Sequence, residues 1–525
     1  MRNLIPALTL ASLGVTNAIA QEMNRPNILL IMCDDLMAYD GIYKDYPKAH
    51  TPHLDNLKSR SVNFVNAHCS APISGPSRAS IFTGIYPHIS KNYGFTPWFQ
   101  NPVLSECKTL FTHLREGGYD VYGTGKLMHH LREKEYTRYG VKNYAGPLAF
   151  DGKQAACHPS VPRIYAEIGP LDGTFCSLAD VPEIKPTATA PGYKGWYDLQ
   201  RKKPFKYIDD NNRDLLRDEE HAQWVTNLLK ELENKSTDNK PFFIGMGLSK
   251  PHTALIAPQK YFDLYPLETI RLPKRQKESE RNLGYLEENT PNSRGYKCYR
   301  AMEQAYPEGI EYGLKKYMQA YLASVSFADN VIGTVLNALE KSRFAKNTIV
   351  IFFSDHGYDF GQKNYLFKNS LWETSTEVPF YVYCPGKEFK HGIKVERPIS
   401  LIDVYPTINA MCGLDNQTMK SNKGAQLNGH SIIPFLQDGD QTTVWDGPDV
   451  ALSVVGSSKD KNPVCQSYSV KSKEWRYIHY GNGKEELYHS TTDPHEWNNL
   501  ADDPQYKDVK TYMYNELCKL VTDFK

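Results

Sequence analysis

Short apolar runs separated by stretches of helical spacing set the frame of the chain. Ile28 to Met32, Tyr119 to Tyr122, Phe242 to Met246 and Thr348 to Phe353 are compact and largely apolar, the pattern of strands buried on both faces. Between them, apolar positions recur at helical spacing over Thr109 to Gly117, Glu219 to Asn234 and Lys315 to Lys341. The first of these stops at the Gly117-Gly118 pair, as a helix does where the backbone must turn left-handed. Strands alternating with helices predict an α/β fold, a large and mostly parallel sheet sandwiched by helices. Residues 140–215, rich in Pro, Gly and Tyr with weak periodicity, predict a loop-rich insertion, and residues 272–312 predict a polar, irregular stretch. Past Asp438-Gly439-Asp440 the pattern becomes a series of short alternating runs: Ala451 to Val455, Ser467 to Val470, Trp475 to Tyr480 and Glu486 to Tyr488. With Gly481-Asn482-Gly483 as a turn, these predict a small antiparallel sheet, closed by a helix from Lys507 to Phe524. The pattern divides the chain into an N-terminal segment (1–20), a main α/β unit (21–439) and a C-terminal subdomain (440–525).

Each strand is followed at once by polar side chains. The first ends in Asp34-Asp35, and the second leads into Gly125-Lys126-Leu127-Met128-His129-His130. The third leads into Lys250-Pro251-His252, and the fourth ends in Ser354-Asp355-His356-Gly357. Ligands of open α/β sheets bind beyond the carboxyl ends of the strands, so these clusters are expected to converge in one cleft. Adjacent Asp34 and Asp35, joined there by Asp355, call for a neutralising cation, and an oxygen-rich set favours a hard one such as calcium or magnesium. In Ser74-Gly75-Pro76-Ser77-Arg78, Pro76 suits the first turn of a helix that ends at Gly84, and Ser74 suits its N-cap. A group at that helix start sits where negative charge is stabilised, and Arg78 can reach back to it. Alone, the segment also fits an ordinary capping serine with a surface arginine.

Composition narrows the partners. The 525 residues carry 61 Lys and Arg against 60 Asp and Glu, a net charge of +1, which gives no reason to expect nucleic acid. Arg2, the apolar run Leu4 to Leu13 and the small-x-small ending at Ala18-Ile19-Ala20 read as a secretory signal peptide, which predicts a secreted or periplasmic protein. A buried N-terminal helix is the other reading. No later apolar stretch is read as long enough to span a bilayer. Ten cysteines form no CxxC pair and no zinc spacing, and export would allow a disulfide between Cys157 and Cys176.

Ser74-x-Pro76-Ser77-Arg78 followed by Thr83-Gly84 resembles the signature of type I, formylglycine-dependent sulfatases of the alkaline phosphatase superfamily. The other clusters appear in that family's order. Pro26-Asn27-Ile28 through Asp34-Asp35 resembles its opening strand and first metal ligands. Lys126 with His129, at a two-residue gap, Lys250-Pro251-His252 and Asp355-His356-Gly357 are most like iduronate-2-sulfatases. Lys368, thirteen residues after Asp355, falls at the spacing of the family's last active-site lysine. Glu486-Leu487-Tyr488, Asp493-Pro494, Glu496 and Asn499-Leu500 resemble the C-terminal sulfatase subdomain. The resemblance implies an alkaline phosphatase-like fold and hydrolysis of sulfate esters on a sulfated carbohydrate, such as a polysaccharide being degraded.

It also implies roles. Ser74 would be oxidised to formylglycine, whose gem-diol is the nucleophile. Serine rather than cysteine there implies a radical-type sulfatase-maturating enzyme as partner. Asp34, Asp35, Asp355 and His356, with residue 74 itself, would hold one calcium ion, although histidine is a poorer calcium ligand than an amide oxygen. Arg78 and Lys126 would stabilise the nucleophile and the sulfate oxygens. His252 and Lys368 would lie on the leaving-group side, with His129 as base and His130 and Lys250 as substrate contacts. Tyrosines of the insertion would form sugar-stacking walls. Two other functions stay open at this point: a phosphodiesterase or phosphonate hydrolase of the same superfamily, and an inactive sulfated-glycan-binding protein.

Overall fold

The computed structural model describes residues 25–38, 47–235, 240–276, 293–440, 443–457 and 460–524. The N-terminal segment read as a signal peptide lies outside the described residues. Eight strands form the main sheet: β1 (Asn27–Asp34), β2 (Val62–Phe64), β3 (Asp120–Gly125), β4 (Arg138–Lys142), β5 (Phe242–Pro251), β6 (Thr348–Ser354), β7 (Phe380–Tyr383) and β8 (Ile393–Val395). Their spatial order is β8-β2-β7-β6-β1-β5-β3-β4. β1 is central and pairs in parallel with β6 on one side and β5 on the other, and β3 and β4 continue the parallel run. β7 runs antiparallel to β6 and to β2, so the sheet is mixed.

The uninterrupted apolar runs of the sequence are explained by burial on both faces. Side chains of β1 alternate between two cores. Leu29, Ile31 and Cys33 face α3 (Arg217–Glu233), α4 (Arg294–Ala305) and α5 (Ile310–Lys341). Ile28, Leu30 and Met32 face α1 (Ser74–Thr83), α2 (Leu110–Glu116) and α6 (Val404–Met411). Each such side chain contributes about 1.5–3 kcal/mol by leaving water, so the carboxyl end of β1 is held from both sides.

A second sheet of four antiparallel strands follows: β9 (Ala451–Val455), β10 (Ser467–Lys471), β11 (Trp475–His479) and β12 (Glu485–His489). One of its faces packs on α7 (Lys507–Leu520) through Met513 and Leu517. Its other face sets Ile478, Tyr480 and Tyr488 against the core of the main unit.

Four expectations change. The C-terminal helix ends at Leu520, with a separate turn over Thr522–Phe524. The stretch 272–312 contains α4, whose buried Gly295, Cys298, Tyr299 and Met302 recur at helical spacing among charged residues. α5 has the length and hydropathy of a membrane span, contrary to the reading that no later stretch does, but 78% of its most apolar stretch is buried inside the protein. Cys157 and Cys176 are separate thiols. The Cys157 thiol faces the Gly169 carbonyl and the Thr174 hydroxyl, while Cys176 is buried in a strand paired with Leu255–Ala257.

Candidate active site

The strand ends do converge. β1 delivers Asp34, and the next residue, Asp35, takes a left-handed backbone (φ 66°), a conformation Asp tolerates better than most side chains. That turn is held on three sides. The Asp35 amide donates to Asp355 Oδ1 (3.3 Å), the Asp35 carbonyl accepts from Tyr321 (2.7 Å), and the Leu36 amide donates to Ser354 Oγ (2.9 Å). Adjacent carboxylates therefore both reach the same point. Gly125, at the end of β3, has φ +77°, and a Cβ there would lie 1.9 Å from the Gly247 carbonyl oxygen. Only glycine lets β3 leave the sheet so closely against β5, and the next residue, Lys126, places its ammonium on Asp34.

Ser74 is the first residue of α1 rather than its cap; Ile73 flanks the helix. The Ser74 hydroxyl is turned from the helix amides, donates to Asp34 Oδ1 (2.8 Å) and lies 3.1 Å from His356 Nε2. Ser77, one turn on, pins α1 to the end of β6 by donating to the Asp355 carbonyl (2.6 Å). Arg78 is fully buried, with Nε on Asp355 Oδ2 (2.8 Å) and Nη2 on Asp34 Oδ1 (3.2 Å). Lys368 bonds both Asp35 oxygens, at 2.7 and 2.9 Å. Burial opposes the charge on Asp34, but Lys126 and Arg78, then His252 and Lys368, hold its carboxyl well below the usual range. Burial likewise opposes the charge on Lys368, and Asp35 and Asp34 outweigh it, keeping the ammonium protonated.

Asp34, Asp35, Asp355 and His356 are buried, and each brings one ligand atom within 4.8 Å of the other three. The His356 Nδ1 nitrogen lies 3.0 Å from the Gly357 carbonyl, which can only accept, so Nδ1 carries the proton. Nε2 then presents a lone pair toward Ser74 and Asp35, the tautomer a metal ligand needs. Charge also fits. Three carboxylates (Asp34, Asp35, Asp355) balance three fixed cations (Arg78, Lys126, Lys368). A divalent cation would leave two positive charges for an anionic substrate and an ionised nucleophile.

Above this cluster opens a cavity of about 370 Å³ lined by Asp34, Lys126, His129, Leu171, Ser249 and His252, among others. His129 lies tilted against the half-exposed Phe95 at 4.8 Å, and burial, then Lys126 and His130, press it down to about 3, so its ring is neutral at ordinary pH. Burial, then Lys368, also lowers His252.

Two expected substrate contacts are placed elsewhere. Lys250 is buried, and its ammonium donates to the Ala254 carbonyl. The Lys250 amide is held by Asp218 Oδ2 (2.9 Å), which anchors the residue inside the helix layer while His252 lies past the strand's end. His130 backs the His129 ring at 4.9 Å and does not line the cavity. The insertion lines the cavity with Lys142, Asn143, Ala145 and Leu171, and no tyrosine does so. Residues that sequence reasoning missed are Asp172, which follows Leu171, and Thr253; neither belongs to a motif.

A second buried ionic cluster lies where the two sheets meet. Arg476 of β11 pairs with Glu373 and with Glu496 (2.6 Å), and Glu496 accepts the Glu373 amide (2.9 Å). Lys471 lies 3.9 Å from Glu373, and Glu486 accepts from Trp372 (3.1 Å).

Comparison with known proteins gives a family pattern. The pattern described as "Sulfatase" matches residues 26–414, and that described as "N-sulphoglucosamine sulphohydrolase, C-terminal" matches residues 361–523. A protein of Formosa agariphila named "Sulfatase" is 30% identical over 502 residues, which cover 93% of this chain and 85% of that protein. The iduronate 2-sulfatase of Mus musculus is 27% identical over 426 residues, covering 74% of this chain and 69% of that protein. Among solved structures, the phosphonate monoester hydrolase of Agrobacterium radiobacter shares the fold with a TM-score of 0.65 at 19% identity, covering 95% of this chain and 96% of that one.

Proposed function

The chain belongs to the sulfatase family, type I within the alkaline phosphatase superfamily, and is a sulfuric ester hydrolase; from that premise we propose that it removes sulfate from a sulfated carbohydrate, with residue 74 as formylglycine and one bound calcium ion. A single observation carries the reading: the Ser74 hydroxyl stands between Asp34 and His356, with the buried Arg78 on the same Asp34 oxygen, and Asp34 itself lines a cavity together with Lys126 and His252.

Asp34, Asp35, Asp355 and His356 would hold the cation, whose charge there favours an ionised oxygen on residue 74. The formyl group supplies a carbon able to bear two oxygens, so a sulfate passed to one can be expelled when the other loses its proton. Arg78, fixed by two carboxylates, and Lys126 on the cavity wall stabilise negative charge on the sulfate oxygens without reorganising. His129, neutral and facing the cavity, accepts the proton in the expulsion step. On the leaving-group side His252 lines the cavity, whereas Lys368 is buried against Asp35. His252 is therefore the group that meets the departing oxygen. As the S–O bond breaks, its electron pair stays on the sugar oxygen, which takes the proton from His252, a contribution of ~10²–10⁴ in rate.

The carbohydrate substrate is supported by likeness to a relative named for iduronate, a sugar. The same fold occurs in a phosphonate monoester hydrolase, so the test sets the two ester types side by side. Serine at position 74 makes a radical-type maturase the expected partner, and export to the periplasm or beyond is proposed from the leader-like first twenty residues. The test is protein co-produced with such a maturase, its residue-74 peptide weighed and its bound metal measured, then offered defined sulfated oligosaccharides beside a phosphonate monoester. Free sulfate from protein carrying formylglycine and calcium upholds the reading. Zinc with intact serine and faster phosphonate cleavage would replace it.

A further inference from the structure

We propose that Asp172, in the loop-rich insertion, is a positioning residue for the leaving-group side, acting through Thr253 on the His252 ring; this rests on the reading of His252 as the proton donor.

Pairing places it there. A strand over Phe175–Ser177 runs parallel to Leu255–Ala257, with Phe175 opposite Leu255, and the Leu255 amide donates to the Thr174 carbonyl (2.9 Å). Carried back three residues, this register brings Asp172 level with His252, within reach of the Thr253 side chain. Thr253 Oγ1 donates to Asp172 Oδ1 (2.7 Å) and lies 3.3 Å from His252 Nδ1. A hydroxyl has one proton, and an ionised carboxylate can only accept. The Thr253 proton therefore goes to Asp172, which leaves the Thr253 oxygen as an acceptor toward His252. The Thr253 backbone carbonyl, which also can only accept, contacts the same Nδ1. Nδ1 thus carries a proton between two acceptors, and Nε2 is left as the nitrogen that exchanges a proton with substrate.

The carboxylate itself is held in place. Arg294, at the start of α4, reaches Asp172 Oδ2 through Nε (2.8 Å) and also through Nη2, which donates in addition to the Ile168 carbonyl (2.8 Å). Burial opposes the charge, but the Thr253 hydroxyl, His252 and Arg294 hold the carboxyl below its ordinary range. Both oxygens are used, one for Arg294 and one for Thr253, and Leu171 beside it lines the cavity. An ion pair that only fastened the insertion to α4 would not need the second oxygen to meet the hydroxyl that touches His252.

The experiment uses matured full-length enzyme and three probes of rising leaving-group pKa: 4-nitrophenyl sulfate, phenyl sulfate and glucosamine 6-sulfate. Asp172→Asn is expected to lower kcat by about 10–100-fold on the sugar sulfate, far less on 4-nitrophenyl sulfate, and to leave KM nearly unchanged. His252→Ala should show the same trend more strongly, and Asp172→Asn added to it should cost nothing further, because the effect travels through that ring. Thr253→Val should reproduce Asp172→Asn and serves in its place if the latter fails to fold. An Asp172→Asn loss equal across the three probes, or additive to a leaving-group-dependent His252→Ala, overturns the role of Asp172 and leaves His252 as the donor. A His252→Ala loss that ignores the leaving group removes the donor assignment, and the role of Asp172 falls with it.

Discussion

Two buried clusters of charge, one at the ends of β1, β3 and β6 and one where the two sheets meet, use the same ingredients for different ends. Both pair a fully buried arginine with two carboxylates: Arg78 with Asp34 and Asp355, and Arg476 with Glu373 and Glu496. Both have lysines close by. In the first, Asp34 and Lys126 also line an open cavity, a histidine lone pair faces a serine hydroxyl, and the charges balance only until a cation or an anion arrives. In the second, Arg476, Glu373 and Glu496 are spent on one another, beside Trp372 bonded to Glu486 and the short helix Glu373–Thr376. Burial and perturbed charge are thus not marks of chemistry by themselves; access and an unspent acceptor are.

The contrast can be broken at four points. The largest effect is expected from Ser74→Ala, which should remove turnover by on the order of 10⁶ while leaving the thermal midpoint nearly unchanged. Residual activity within tenfold of wild type would remove Ser74 from the mechanism. Next is Arg476→Met. It leaves Glu373 and Glu496 buried without their partner and should cost about 3–5 kcal/mol in denaturant unfolding, with far less change in turnover per folded molecule. If Arg78→Met and Arg476→Met proved equally harmful to turnover, the division of roles would be wrong.

Third, calcium at a hundredfold excess over its Kd should raise stability by about 2.7 kcal/mol, and chelation should reverse it. Asp35→Asn should weaken this response and Arg476→Met should not; a calcium response lost in the latter alone would move the metal to the seam. The smallest effect is a slope. Asp359, which accepts from Ser370, Thr374 and Ser375, is pushed up to about 6 by burial, with Glu496 adding to it. Its folded state therefore binds more protons than the unfolded chain between about pH 4 and 6, so stability contributed by this group falls as pH rises through that range. Asp359→Asn should flatten the slope, and an unchanged urea midpoint profile would assign the slope to another group.

What the sequence made legible follows the same division. The central strands were readable because burial on both faces leaves them uninterruptedly apolar, and their ends were readable because polar groups follow abruptly. Val62–Phe64 and Ile393–Val395, the last two strands at one end of the main sheet, are three residues each, too short for any period to show. Spatial order, with β1 between β5 and β6, is set by long-range pairing that no local window contains. Lys250 misled because it precedes His252 by two residues, yet its amide is bonded to Asp218 and its ammonium to the Ala254 carbonyl, inside the core. Asp172 was invisible because its meaning comes from a strand pairing across roughly eighty residues of chain.

The burial of Ser74 has a consequence in time. Only 2% of its surface reaches solvent, and its neighbour His356 is 282 residues further along the chain. At synthesis rates of roughly 5–20 residues per second, residue 74 exists for roughly 14–56 s before the segment that seals it has been made. An enzyme that oxidises this serine meets an open substrate during that interval, or in a chain kept unfolded afterwards. Once β6 has docked, it would have to wait for the centre of the sheet to come apart. On the proposal that residue 74 becomes formylglycine, the native protein is a poor client for that oxidation, and unmodified chains that finish folding are expected to stay unmodified.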